Sequence, residues 1–171
     1  VSSFPYAINW TADNVPAIVH LAHGSQEEGN ALADVLFGDY NPAGRLVQTW
    51  PKSMDDLPQM MDYDIRNGRT YMYAKAAPLY PFGYGLSYTK FQYSNLRAPD
   101  AIPATGEATV SVDVKNAGAR AGEEVVQLYV AHEGSAVARP QKELKGFARV
   151  ALAPGETKTV AIPLKASQLA Y

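Results

Sequence analysis

The sequence predicts an α/β unit followed by an all-β sandwich. Three observations carry that reading. An apolar run, a helical stretch, a turn and a second strand-like run succeed one another within residues 1–50. Residues 90–171 alternate apolar and polar side chains between short turns. Between them, residues 51–89 have no strong period and are punctuated by Pro and Gly.

The elements follow in order. Ala17–Ala22 (AIVHLA) is nearly continuous in apolar residues, as suits a strand covered on both faces. Ser25 stands three residues before Glu28, a capping-box spacing for a helix start. Leu32, Val35 and Leu36 form the stripe of a core-facing helix, and Gly38 is placed to end it. Asn41-Pro-Ala-Gly44 is a turn, and Arg45–Trp50 is expected to be a strand. Strand, helix, turn and strand make a βαβ unit of a layered α/β sheet. In residues 51–89, Pro78–Thr89 (PLYPFGYGLSYT) stands out. Its Pro and Gly content forbids a regular helix, yet Tyr80, Phe82, Tyr84 and Tyr88 are too aromatic for a plain linker. The expectation is an irregular packed brace with those four rings as buried anchors.

The β region begins with a strand marked by Phe91, Tyr93, Asn95 and Leu96. Ala108, Val110, Val112 and Val114 alternate with polar partners, the pattern of a half-buried strand. Turns at Asn116–Gly118 and Ala153–Glu156 separate further strands at Glu124–Ala131, around Leu144, Phe147 and Val150, and at Thr157–Pro163. Strands so spaced have immunoglobulin or fibronectin type III character. Such a sandwich has about seven strands, and roughly five are legible, so it reads as incomplete, with the rest expected beyond Tyr171.

Composition narrows the function classes. The 171 residues allow one or two domains. A net charge of −2 disfavours nucleic acid and anionic membranes as partners, since both attract basic patches. There is no 18-residue apolar run to span a bilayer as a helix. Val1–Trp10 lacks the basic start, long apolar core and methionine of a signal peptide. The absence of cysteine excludes disulfides and thiolate metal sites. The apolar start at Val1 and the stop at Tyr171 read as an internal piece of something longer.

Several stretches together resemble glycoside hydrolase family 3, the β-glucosidases and β-xylosidases. Gly29–Leu46 contains a helix running into Gly38-Asp-Tyr-Asn-Pro42, followed by Thr49-Trp-Pro51. Arg69-Thr-Tyr-Met-Tyr73 precedes the Pro78–Thr89 run. Val110–Asn116 with Gly118 and Gly122 is similar to the opening of the family's C-terminal sandwich, and Glu124–Val130 and Arg139–Phe147 continue in order. The resemblance implies the end of an α/β-sandwich domain (residues 1–50), a connecting segment (51–89) and a truncated fibronectin type III-like domain (90–171). It implies a retaining exo-acting β-glycosidase as the parent protein, periplasmic or secreted, with glucose and xylose both open as the terminal sugar. A β-linked oligosaccharide is the implied substrate, with upstream catalytic domains or a companion chain as partner. A non-catalytic carbohydrate-binding or structural interaction module is the alternative from another class.

Retaining hydrolysis needs two carboxyl groups about 5–5.5 Å apart. The family's nucleophile sits in a Ser-Asp-Trp context and its acid/base in a Glu-Gly-x-Asp-Arg context. Neither motif occurs here, so no catalytic residue is assigned to this chain. Among the acids present, Glu27 and Glu28 point about 100° apart on a helix and better complement its N-terminus. Asp55 and Asp56 read as solvated turn residues, as do Asp62 and Asp64, although that last pair could share a face. His20 and His23 lack helical ligand spacing and read as hydrogen-bonded structural histidines, so no metal and no cofactor is implied.

Met60–Tyr73 is the best candidate for substrate contact, with Met60, Tyr63, Arg66, Arg69 and Tyr71 as candidate substrate-binding residues beside Met61 and Tyr73. Arginine forks suit sugar hydroxyls, and Tyr or Met faces suit pyranose rings. The competing and preferred reading is a packed interdomain arm in which Arg69 pairs with a carboxylate.

Overall fold

A computed structural model describes residues 1–170. The chain divides into two compact units. The first comprises Val1–Tyr40, Arg45–Gly85 and Ala131–Lys142, and the second Asn41–Gly44, Leu86–Val130 and Glu143–Tyr171.

The first unit holds α1 (Asn9–Asn14), α2 (Glu28–Phe37), a 3-10 turn at Met54–Asp56 and the single helical turn α3 (Thr70–Tyr73). Helix α2 ends as its sequence expects, with Gly38 at φ 87° in the left-handed region that glycine enters without strain. Its start differs. Glu27 is the N-cap, no side chain caps it, and the Glu28 carboxylate instead accepts the Gly24 N–H at 3.1 Å. The apolar stripe is only half-buried at Leu32 and Val35, and Leu36 is exposed.

The two runs expected to be strands, 17–22 and 45–50, form no ladder. A ladder needs a neighbouring backbone, and within this unit each run finds a different one. The N-terminal residues clip to the first run, with Ser2 N–H donating to Leu21 O at 2.9 Å. The second run lies against the Pro/Gly-rich brace. Leu46 N–H donates to Tyr84 O at 2.8 Å, Gly83 N–H to Leu46 O at 2.7 Å and Trp50 N–H to Tyr80 O at 2.9 Å. Trp50 is buried, with the rings of Tyr6 and His20 edge-on at 5.7 and 5.0 Å.

The second unit is the sandwich. Strands β1 (Phe91–Arg97), β2 (Glu107–Asn116) and β5 (Thr157–Lys165) form one antiparallel sheet in the order β1-β2-β5. Strands β3 (Gly122–Val130) and β4 (Glu143–Leu152) form the other. The alternation read along β2 holds in register: Val110 faces Ile162 and Val112 faces Val160 across the ladder. Val114, Val126, Leu152, Val160 and Ile162 form the core, with Phe91, Val112, Leu128, Ala148 and Val150 packed against them. These residues come from both sheets, the arrangement of a sandwich.

Asn116 ends β2 and is fully buried, with its amide completely used. Its Oδ1 accepts from Thr89 Oγ1 at 2.6 Å and from Gly118 N–H at 3.1 Å, while Nδ2 donates to Arg120 O at 2.7 Å and Leu152 O at 3.1 Å. A second asparagine brings a distant turn into the same unit. Asn41 Nδ2 donates to Ala121 O at 2.9 Å, and its Oδ1 accepts from Ser87 Oγ at 2.9 Å and Tyr88 N–H at 2.8 Å.

Candidate functional site

The candidate arm is built from turns that close on their own side chains. It opens at Ser53, whose hydroxyl accepts the Asp55 N–H at 3.1 Å while Asp56 Oδ2 accepts the Ser53 N–H at 3.2 Å. Asp56 closes this reciprocal cap, and the Asp55 carboxylate accepts from the Ser53 hydroxyl at 3.3 Å. Asp62 begins a second set. Its Oδ1 accepts the Asp64 N–H at 3.1 Å and its Oδ2 accepts from Asn67 Nδ2 at 2.8 Å. Asp64 in turn accepts the Arg66 N–H at 3.0 Å.

The carboxylate pairing falls on Arg66, not on Arg69. Arg66 forks onto Asp64 through Nε at 2.9 Å and Nη2 at 2.6 Å. The Arg66 side chain, and then its main-chain N–H, hold the Asp64 carboxyl down to about 2 from 3.8. Arg69 binds main-chain oxygens instead. Its Nε donates to Asp62 O, and Nη2 to Gln59 O at 2.7 Å and Met60 O at 3.3 Å. One guanidinium thus gathers three carbonyls of the 59–62 segment. Arginine has five donors in a fixed fork, so it can close an irregular loop that has no ladder of its own.

Tyr71 stacks on Phe82 at 4.4 Å between centroids with a 14° interplanar angle. Met60 and Tyr63 project into solvent, 83% and 77% exposed. The five candidate residues are therefore not gathered into one pocket. Arg66 alone of them lines an open depression of about 590 Å³, with Asp56, Leu57, Pro58, Asn67, Gly68, Lys75 and Ala76. Asp56 and Lys75 had no motif to mark them. Their place on the rim comes from chain reversals around Gly68, at φ 92°, and α3.

Thr70 starts α3 with φ 61°, a left-handed conformation that costs a β-branched residue of order 1–3 kcal/mol. Its Oγ1 accepts the Met72 N–H at 3.2 Å. The far side of α3 is held by Gln141, whose N–H donates to Met72 O at 2.8 Å and whose Nε2 donates to Ala74 O at 2.8 Å.

The brace is less buried than its aromatic content predicts. Tyr84 and Tyr88 are 38% and 48% exposed, and Tyr80 stacks on Tyr84 at 5.4 Å. Thr89 is the one residue of the run that is buried. The histidines take structural partners. His20 Nε2 lies 3.1 Å from Ser2 O, and His23 Nδ1 meets Ser3 Oγ. Among the described residues no cluster of three His, Cys, Asp or Glu side chains could hold a metal ion, and no helix is long and apolar enough to cross a membrane.

A two-sheet fibronectin-type sandwich, preceded by helices and an aromatic brace, defines the class of domain. The profile of the glycosyl hydrolase family 3 C-terminal domain matches residues 1–88, and that of a fibronectin type III-like domain matches residues 124–171. The chain is 40% identical to a beta-xylosidase of Formosa agariphila over 99% of its length and 24% of the relative's. It is 42% identical to thermostable beta-glucosidase B of Acetivibrio thermocellus over 98% of its length and 24% of the relative's. It superposes on beta-glucosidase 3B from Thermotoga neapolitana with a TM-score of 0.84, at 33% identity over 97% of this chain and 25% of that one. The chain belongs to glycoside hydrolase family 3. It spans about a quarter of the length of the glycosidases it matches.

Proposed function

We propose that this chain is the scaffold-forming portion of a retaining exo-β-glycosidase that removes terminal β-linked glucose from oligosaccharides. The observation that carries the reading is its near-complete alignment, at 40–42% identity, with about a quarter of a beta-xylosidase and of beta-glucosidases. Residues 1–50 serve as the end of an α/β-sandwich domain, 51–89 as the connection and 90–171 as the fibronectin type III-like domain. The catalytic carboxylates belong to upstream domains or a companion chain. Asp62 and Asp64, the pair best spaced to act together, are committed to turn bonds and to Arg66.

Large apolar side chains left open on the first unit support a partner surface: Trp10 is 73% exposed, Phe37 84% and Val47 80%. Of the candidates Met60, Tyr63, Arg66, Arg69 and Tyr71, the exposed Met60 and Tyr63 meet the sugar in the assembled enzyme, while Arg66, Arg69 and Tyr71 hold the arm that carries them. A β-xylosidase is the second reading, favoured by the beta-xylosidase relative.

The test is hydrolysis of aryl β-glucoside and aryl β-xyloside. The isolated chain turns over neither, and the assembled protein turns over the glucoside faster. Enzyme-like turnover by the isolated chain would overturn the scaffold reading. Faster turnover of the xyloside by the assembled protein would exchange the two sugars.

A further inference from the structure

Asn67-Gly68 is the only place among the seven asparagines where glycine follows. That dipeptide matters chemically because glycine carries no side chain to block attack by its own amide nitrogen on the preceding carboxamide. The fold leaves the dipeptide open. Asn67 is exposed, no atom lies within 4 Å of where a Gly68 side chain would begin, and Gly68 sits at φ 92° in a turn. The neighbouring amides are engaged, Asn67 N–H with Asp64 O at 3.1 Å and Arg69 N–H with Ile65 O at 3.0 Å. Among the described residues the Gly68 N–H meets no acceptor. Of the other asparagines, Asn116 and Asn41 are buried in full networks, Asn41 is followed by proline, which has no amide proton, and Asn9, Asn14, Asn30 and Asn95 each precede a residue that carries a side chain.

We propose that Asn67 is a site of spontaneous covalent modification, converted to aspartate and isoaspartate through a succinimide. The Gly68 amide nitrogen attacks Asn67 Cγ, forming the N–Cγ bond. The Cγ–Nδ2 bond breaks and Nδ2 leaves as ammonia, taking up the Gly68 amide proton. Water then opens the ring at either carbonyl, giving aspartate or, with the main chain rerouted through the side chain, isoaspartate.

The product undoes the local structure. Asn67 Nδ2 is the donor to Asp62 Oδ2 at 2.8 Å. Replacing that donor by a carboxylate turns a hydrogen bond into a like-charge contact. Asp62 is also where Arg69 takes one of its three carbonyls. The modification therefore releases the 59–69 loop and adds negative charge to the depression that Arg66, Asn67 and Lys75 line.

Purified protein held at mildly alkaline pH and mapped by peptide mass spectrometry, with isoaspartate and aspartate separated by chromatography, tests the chemistry. The Asn67 peptide is expected to convert before any other asparagine peptide, and Asn67→Gln abolishes that conversion. Trypsin nicking after Arg66 and Arg69 tests the consequence: Asn67→Asp is cut faster than the parent from the outset, and aged parent approaches it. If another asparagine converts first while Asn67 stays intact, the site assignment fails. If Asn67→Asp is as resistant as the parent, the release of the loop fails.

Discussion

Thr89 Oγ1 donates to Asn116 Oδ1 at 2.6 Å, and the same hydroxyl would lie 2.2 Å from a Cβ added at Gly118. The hydroxyl thus satisfies a buried amide and is the nearest obstacle to a side chain at residue 118, with Lys90 N at 3.2 Å and Thr89 Cα at 3.3 Å behind it. Gly118→Ala is expected to cost about 1–3 kcal/mol by overpacking. Combining it with Thr89→Ala is expected to cost less than the two single changes added together, because removing the hydroxyl relieves the closest clash and leaves only the backbone contacts. A double-mutant cycle by urea denaturation reads the coupling, and strict additivity would refute it.

Leu152 is 2% exposed at the end of β4, and its carbonyl accepts from Asn116. Leu152→Ala leaves that carbonyl in place and opens a cavity in the core. The expected loss is about 2–5 kcal/mol. Denaturant midpoints of parent and variant check it, and a loss below about 1 kcal/mol would mean the site collapses around the smaller side chain.

Much of this was legible in the chain, because β2 and β5 alternate strictly and the ladder between them needs no help from elsewhere. Glycine at 38 marked the end of α2 for the same local reason. The runs at 17–22 and 45–50 misled because strand-like composition does not supply a neighbouring strand: Ile18 and Val19 stay exposed within this unit, and the second run meets the brace instead. The arm was harder. Arg66 and Arg69 looked equivalent by type, and only the turns fixed by Asp62 and Asp64 decide which one meets a carboxylate and which meets carbonyls. Asp56 and Lys75 reach the depression through turns, which leave no periodic trace.

Asp64 links the arm to pH. Its carboxyl titrates near 2 in the folded chain against an ordinary 3.8, so folding favours the charged form. The stabilisation is complete above about pH 4 and is lost as pH falls toward about 2. Asp64→Asn should be less stable than the parent at neutral pH, with the gap closing through that window. Asp113, held down by Arg97 and then by Thr159 and Asn95, and Glu156, held down by the Ala153 N–H and then by Lys158, act in the same direction. A residual acid limb therefore persists in the variant. Thermal midpoints against pH decide the matter, and a constant gap would sink it.

Thr70 offers a gain. At φ 61° its branched side chain is strained, whereas asparagine tolerates this region and keeps an oxygen to accept the Met72 N–H. Thr70→Asn is expected to add about 1 kcal/mol. An unchanged or lower thermal midpoint would show that the threonine makes compensating contacts.

Asn41 has a consequence for synthesis. Its acceptor at Ala121 lies 80 residues further along the chain. As the polypeptide leaves the ribosome, the turn at 41–44 is made long before the sandwich that receives it, and it must wait through the appearance of β1 and β2. Loop closure over that span is slow compared with local turns. The sandwich therefore cannot reach its final packing as an independent late-made module. Its last step draws back a turn made 80 residues earlier, so an error in that turn is carried into the sandwich.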